Sequence, residues 1–344
     1  MKFNHIVTLG LAAFVGFSLP ADAQDKKIDV KAYYVKKAKE EGKNKSGKLS
    51  AVSIVSSTKP GTFVVKLNED ETKEVKIKDD YSTFYVITPK ELVEALRLYA
   101  AEDFAPAGKA LHKVRKQLEN WRGLPEGPYM RAYRAEVECA VRQLDFAGAL
   151  AVVNEFPKDI EKLLTPQDKV MQSAVKLLAG ATREGGVDPT KIEDGIKTVM
   201  DKLGSAVTPA HYGWMYFALG AAYQSTIPAD QISSHNIAAE HKVNASKAID
   251  AFCVAGISTH GAQMQLPIEA MKRAQLLLWS MPGVQAEVKA YGHPTPAKFK
   301  KQSQDFQDAV TLAYMLINVY GVEAPADSPL AKAAELYVNT KAKK

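Results

Sequence analysis

Apolar residues recur every three to four positions between residues 130 and 157. Tyr133, Val137, Ala140 and Leu144 form a first run, and Phe146, Ala149, Leu150 and Val153 form a second. That spacing places each set on one face of a helix, so the stretch reads as two short helices folded back on each other. Ala147, Gly148 and Ala149 sit where two antiparallel helices must approach closely, and Pro157 stops the second because it cannot continue the hydrogen-bond ladder. One hairpin cannot bury both its apolar stripes, so it requires neighbours.

Helix starts mark those neighbours. Thr88-Pro89, Thr165-Pro166 and Thr208-Pro209 repeat one device, in which Thr caps orphan amide groups and Pro occupies the first turn, where its missing N–H is not needed. Glu91 completes a capping box with Thr88, and Asp188-Pro189 and Ser328-Pro329 are two further starts. The pattern predicts about ten to twelve helices, over 89–101, 105–120, 129–144, 146–156, 166–181, 189–203, 209–224, 240–256, 266–279, 283–291, 297–320 and 328–341. Short connections make sequential neighbours antiparallel.

Upstream the period is two. Residues 49–56, 62–67, 72–78 and 83–87 are rich in Val, Ile, Thr and Phe, and Pro60-Gly61, Asn68-Glu69-Asp70 and Asp79-Asp80 punctuate them. They predict a small antiparallel sheet or barrel over 49–88. A module of this kind can cover the outer face of a first helix, and small barrels also bind peptides or glycans. The Lys-rich segment 24–48 reads as a basic linker or arm, with a short helix ending near Gly42.

The stretch Ala101 to Ala107, AEDFAPA, recurs as Gln143 to Ala149, QLDFAGA. FALGAAY from Phe217 and KAIDAFCVA from Lys247 continue the helix-then-helix texture across an insertion at 225–243. Leu219, Gly220, Tyr223, Ala248, Phe252 and Ala255 match a pattern of Leu-Gly and an aromatic in one helix, then Ala, aromatic and Ala in the next. In this the chain resembles the tetratricopeptide repeat family, although the Asp-Phe pairs are spaced more widely than that family's usual period of about 34 residues. The resemblance implies a mainly α fold, an α-solenoid of antiparallel helical hairpins over 89–344 that follows the N-terminal antiparallel β module.

Residues 1–23 read as a signal peptide. Lys2 and His5 precede an apolar run from Ile6 to Leu19 that is too short to span a bilayer, and Ala21-Asp22-Ala23 supplies small residues for cleavage. Periplasmic or secreted localisation follows as an expectation, with no later transmembrane span. The chain has 45 Lys and Arg against 39 Asp and Glu, a net charge of +6 that gives little support to a nucleic-acid partner. Cys139 and Cys253 lie inside apolar helical patterns, where buried free thiols are the ordinary reading and a disulfide is the alternative.

Catalytic patterns are missing: the sequence holds no Gly-x-Ser-x-Gly elbow, phosphate loop, Cys-x-x-Cys pair or His-Glu-x-x-His helix. No cofactor is expected. His235, Glu240, His241 and His260 are the nearest approach to a metal set, and exposed histidines explain them as well. One polar face is ordered. Arg131, Arg134, Glu138 and Arg142 align in a single stripe beside the apolar one. In the tetratricopeptide family this side of the first helix faces a peptide groove, so the resemblance implies partner-binding roles for these four residues, with Trp214 and Phe217 as an apolar floor. The competing reading is a solvated face in which Glu138 neutralises Arg134 and Arg142, and replacing an exposed Arg134 then changes stability little. The function expected is a non-catalytic scaffold for a protein or peptide partner, in particular an acidic one. An exported hydrolase or a small-ligand or cell-wall binder is the alternative, and two carboxylates facing each other in a pocket would favour the hydrolase.

Overall fold

The computed structural model describes residues 28, 30–36, 50–66, 71–76, 81–258, 265–292 and 295–338. The expected signal peptide, the expected short helix near Gly42, most of the expected linker and His260 lie outside them. The chain is mainly helical with a small antiparallel sheet at its start.

The sheet has five strands, β1 (Val30–Lys36), β2 (Ser50–Ser56), β3 (Thr62–Lys66), β4 (Thr72–Lys76) and β5 (Tyr81–Val86), in the order β4-β3-β2-β1-β5. The first four form a meander and β5 returns to pair with β1. The strand β1 corrects the sequence expectation, because it lies within 24–48 and is flanked on both sides. Its alternation was present but diluted by lysines: Ile28, Val30 and Ala32 point into the core with Ile54, Phe63, Val65 and Val75, while Lys31 and Tyr33 face outward.

The observed helices follow most of the predicted spans, with a further short one at 229–233 inside the expected insertion. They are α1 (Lys90–Ala100), α2 (Phe104–Gln117), α3 (Pro128–Arg142), α4 (Phe146–Asn154), α5 (Pro166–Thr182), α6 (Pro189–Leu203), α7 (Pro209–Ser225), α8 (Ala229–Ser233), α9 (Lys242–Ser258), α10 (Gln265–Trp279), α11 (Val284–Tyr291), α12 (Pro296–Phe299), α13 (Gln304–Asn318) and α14 (Pro329–Glu335). Two expectations change. The span 297–320 is divided, because the Ser303 hydroxyl accepts from the Phe306 amide and starts α13 anew. The Thr88–Glu91 capping box does not form: Pro89 takes the N-cap position of α1, and the Thr88 hydroxyl accepts from Arg131 instead.

Each helix from α1 to α6 packs on the next, α9 packs on α7 and α10, and α5 and α7, the first helices of neighbouring hairpins, also touch directly. The repeated Asp-Phe pairs mark one turn used twice. Glu102 and Leu144 both adopt left-handed backbone at φ 61°, and each following Asp amide donates back into the preceding helix, Asp103 to Leu98 and Asp145 to Ala140. At the α7–α9 crossing, Gly220 lies so close to the Phe252 ring that a Cβ there would come within 2.7 Å of it. Buried Arg115 ties α2 to α3, since its Nε donates to Glu136 at 2.5 Å and its Nη2 to Glu155 at 2.7 Å.

The sheet is strapped to the helices at residues 119–123, just after α2. The Trp121 indole donates to the Ile54 carbonyl at 2.8 Å, the Gly123 amide to Ser57 at 2.6 Å, and the Gly61 amide to the Gly123 carbonyl at 3.1 Å. Gly123 is required by this approach: a Cβ would meet the Lys59 carbonyl oxygen at 2.5 Å. Gly123→Ala should therefore destabilise the protein by about 1–3 kcal/mol, because backbone on both sides would have to shift. Chemical denaturation reads this directly, and an unchanged midpoint would show that the strap contributes nothing to stability.

Candidate functional site

A pocket of about 560 Å³ opens where α3 meets the N-terminal turns of α5 and α7. Each helix brings side chains to it for a reason visible in its sequence. The three-to-four spacing of α3 turns Arg134, Glu138 and Arg142 to this wall. The two Thr-Pro starts bring Asp168 and His211, each three residues after its capping Thr, together with Met171 and Trp214 one turn further along.

Four of the six residues expected to bind a partner, Arg134, Glu138, Arg142 and Trp214, line this pocket. Arg131 is absent from its lining and donates to Thr88. Phe217 is fully buried instead, with its ring 5.5 Å from those of Phe146 and Phe252, so it belongs to the core rather than to a floor. Trp214 is also nearly buried, at 1% exposure, so it lines the pocket while little of it is open to solvent.

Arg134 is held, not solvated. Its Nε and Nη2 donate to the two oxygens of Asp168 at 2.6 and 2.9 Å, and its Nη1 and Nη2 donate to Glu126 at 2.5 and 2.7 Å. These partners come from neighbouring elements, so the expected neutralisation by Glu138 within the helix does not describe it. The Arg134 guanidinium is held above its ordinary pKa by these bonds to Glu126 and Asp168, and Glu126 is lowered by the same bonds. Asp168 is buried, which alone would push its carboxyl up, but the Arg134 and Thr165 donors outweigh burial and hold it below the ordinary value. It also closes a capping box, its Oδ2 accepting from the Thr165 amide at 2.9 Å.

Arg142 is placed differently. Its guanidinium lies 5.0 Å from the centres of both the Tyr99 and Phe104 rings, an arrangement that occupies its face and leaves its N–H edge. Glu138 stands 3.7 Å from it, beyond hydrogen-bonding reach, because the same Glu138 oxygen accepts the Tyr99 hydroxyl. His211 forms part of the pocket floor beside Trp214, 5.3 Å between ring centres, and its Nδ1 is buried without a partner. Burial pushes the His211 pKa down to about 4, with Asp168 opposing, so its ring is neutral near pH 7.

Asp168, Glu126 and His211 escaped sequence reasoning. A signal existed for Asp168, since Thr165-Pro166-Gln167-Asp168 is a capping-box spacing, but nothing in that motif reports the arginine two helices away. Among the described residues no group of three or more His, Cys, Asp or Glu could hold a metal ion, and His235 instead approaches the Ser280 hydroxyl at 3.4 Å. Cys139 and Cys253 are unpaired, and no helix among the described residues is long and apolar enough to cross a membrane. No family model, curated protein or solved structure matches this chain.

Two outcomes follow. Arg134→Ala leaves the buried Asp168 carboxylate without its arginine partner and should destabilise by roughly 3 kcal/mol, far more than a surface change; an unfolding free energy from chemical denaturation lowered by less than about 0.5 kcal/mol would show Arg134 to be solvated after all. His211 binds a proton less tightly folded than unfolded, so its contribution is complete above about pH 6.5 and declines as the pH falls toward about 4. His211→Gln, which cannot titrate, should lose about 2–3 kcal/mol less than the wild type across that window. Parallel stability curves for the two proteins would remove His211 as an acid-sensitive element.

Proposed function

We propose that this chain is an exported, non-catalytic helical-repeat scaffold whose stacked hairpins present a groove to a protein or peptide partner. The observation that carries the reading is the origin of the pocket walls: α3, α5 and α7 are the first helices of three successive hairpins, and a groove shared by first helices is what a tetratricopeptide-like solenoid would offer. The close contact of Gly220 with Phe252 supports the same resemblance, since both belong to the matched pattern. In this reading Glu138, Arg142 and Trp214 meet the partner, and Arg134 braces the wall behind them. Of the two arginines that line the pocket, Arg142 is the one left to face an acidic group, because Glu138 at 3.7 Å makes no hydrogen bond to it whereas Arg134 is bonded to two carboxylates.

A hydrolase would need one carboxyl raised to act as an acid. Three carboxylates line this pocket and each is already engaged within the protein, Glu126 and Asp168 by Arg134 and Glu138 by the Tyr99 hydroxyl; Arg134 moreover lowers its two partners, the opposite of what an acid catalyst requires. The scaffold reading is therefore preferred.

Peptides selected from a random display library on the mature protein should slow amide hydrogen exchange at the first turns of α5 and α7 and along the second half of α3. Protection confined to the sheet, or selection of no peptide, would overturn the scaffold reading.

A further inference from the structure

A second cavity, of about 620 Å³, lies on a different part of the helical array, between the C-terminal ends of α5 and α7, the start of α8 and one side chain of α10. We propose that it is a binding site for a small oxyanion that also carries an N–H or O–H donor. The residues that build it are Thr182, Arg183, Gln224, Ile227, Ile232 and Arg273.

Charge is the first argument. Two arginines line this cavity and no carboxylate does, whereas the pocket at α3 has two arginines against three carboxylates. The ends of α5 and α7 contribute together about one unit of negative charge, half from each helix, and Glu269, which binds Arg273 from outside the lining, offsets another, so the cavity is close to neutral and exposed Arg183 is its arginine without a carboxylate partner.

Preorganisation is the second. The Arg273 guanidinium lies 5.1 Å from the centre of the Phe217 ring and 5.9 Å from that of Phe252, and its Nε donates to Glu269 at 2.8 Å. The rings and Glu269 fix the plane of the group, while its two terminal nitrogens keep their donors for a planar or tetrahedral oxyanion. Arg183 stands exposed at the rim, where its Nε reaches only the Gly186 carbonyl at 3.3 Å.

The third argument defines the ligand's other end. The Gln224 Oε1 is buried and has no hydrogen-bond partner. Rotating the amide would only exchange an unmatched acceptor for an unmatched donor, so a polar ligand group satisfies it in either orientation. The hydroxyls nearby are not available as donors: Thr182, Ser225 and Thr226 donate to the Leu178, Ala222 and Tyr223 carbonyls. The anion must therefore be held by the arginines, and the donor by Gln224.

The test uses glycerol 1-phosphate, glycerate, sulfate and glycerol, titrated by calorimetry into the mature protein. Glycerol 1-phosphate and glycerate separate a phosphate ester from a carboxylate as the source of the oxyanion, and glycerol supplies the donor without the charge. At least one of the two charged alcohols should bind saturably, roughly tenfold or more tightly than glycerol. Arg183→Gln, at an exposed site that cannot disturb folding, should weaken that binding about threefold or more, and Arg273→Lys, which keeps the charge over the rings but loses the fork, about tenfold. Equal affinity for glycerol and the charged alcohols, no saturable binding of either, or unchanged binding by both variants would overturn the inference. Sulfate, which carries no N–H or O–H donor, binding as tightly as glycerol 1-phosphate would overturn the role given to Gln224.

Discussion

The carboxylate of Asp168 is shared between two pieces of structure that would otherwise be independent, the first turn of α5 and the Arg134 side chain of α3. Through Thr165 it sets where α5 begins, and through Arg134 it sets how that beginning lies against the preceding hairpin. A buried carboxylate without such donors would be costly, so the arrangement is all-or-none: either the helix start and the arginine are both in place, or the charge is stranded. The depth and outline of the pocket wall follow from that one group, since Arg134, Thr165 and Asp168 stand side by side in it.

Arg115 plays a comparable part deeper in the array. It is 1% exposed, and its donors reach Glu136 on the next helix and Glu155 beyond the end of α4, while His112 holds the other side of Glu136 at 2.8 Å. Its guanidinium is held above its ordinary pKa because these bonds outweigh burial. Two arginines on or beside the same hairpin thus hold it to elements before and after it by directed bonds, which fix relative position more narrowly than apolar contact alone.

Periodicity made most of the helical boundaries legible, because Thr-Pro and Asp-Pro starts are local chemistry that a sequence displays in full. The face of α3 was legible for the same reason. What the face meets was not: Arg134 and Asp168 are separated by a helix and a turn, and a spacing of three and four residues says which side chains align but nothing of partners on other elements. Phe217 shows the limit from the other side, since its helix is apolar nearly all round and no stripe distinguishes a groove floor from a core. The strand β1 was obscured by Lys31 and its neighbours, whose charge suggested a solvated arm although alternate positions were apolar. Glu102 and Leu144 illustrate a further case, where a repeated Asp-Phe signalled a repeated turn without showing that the residue before it would be left-handed.

Cys139 is buried on α3, two positions from the Val137 and Val141 side chains of the core, and burial pushes its thiol up to about 12. A thiol so placed is almost wholly protonated at neutral pH and closed to reagents while the hairpin stays shut. Cys253 is only half-buried. The chain therefore carries its own two-channel clock. Alkylation of Cys253 reports access to the outer side of α9, and the slower alkylation of Cys139 counts each occasion on which the central hairpin opens, so the local opening rate is measurable in the unmodified protein without a label being introduced.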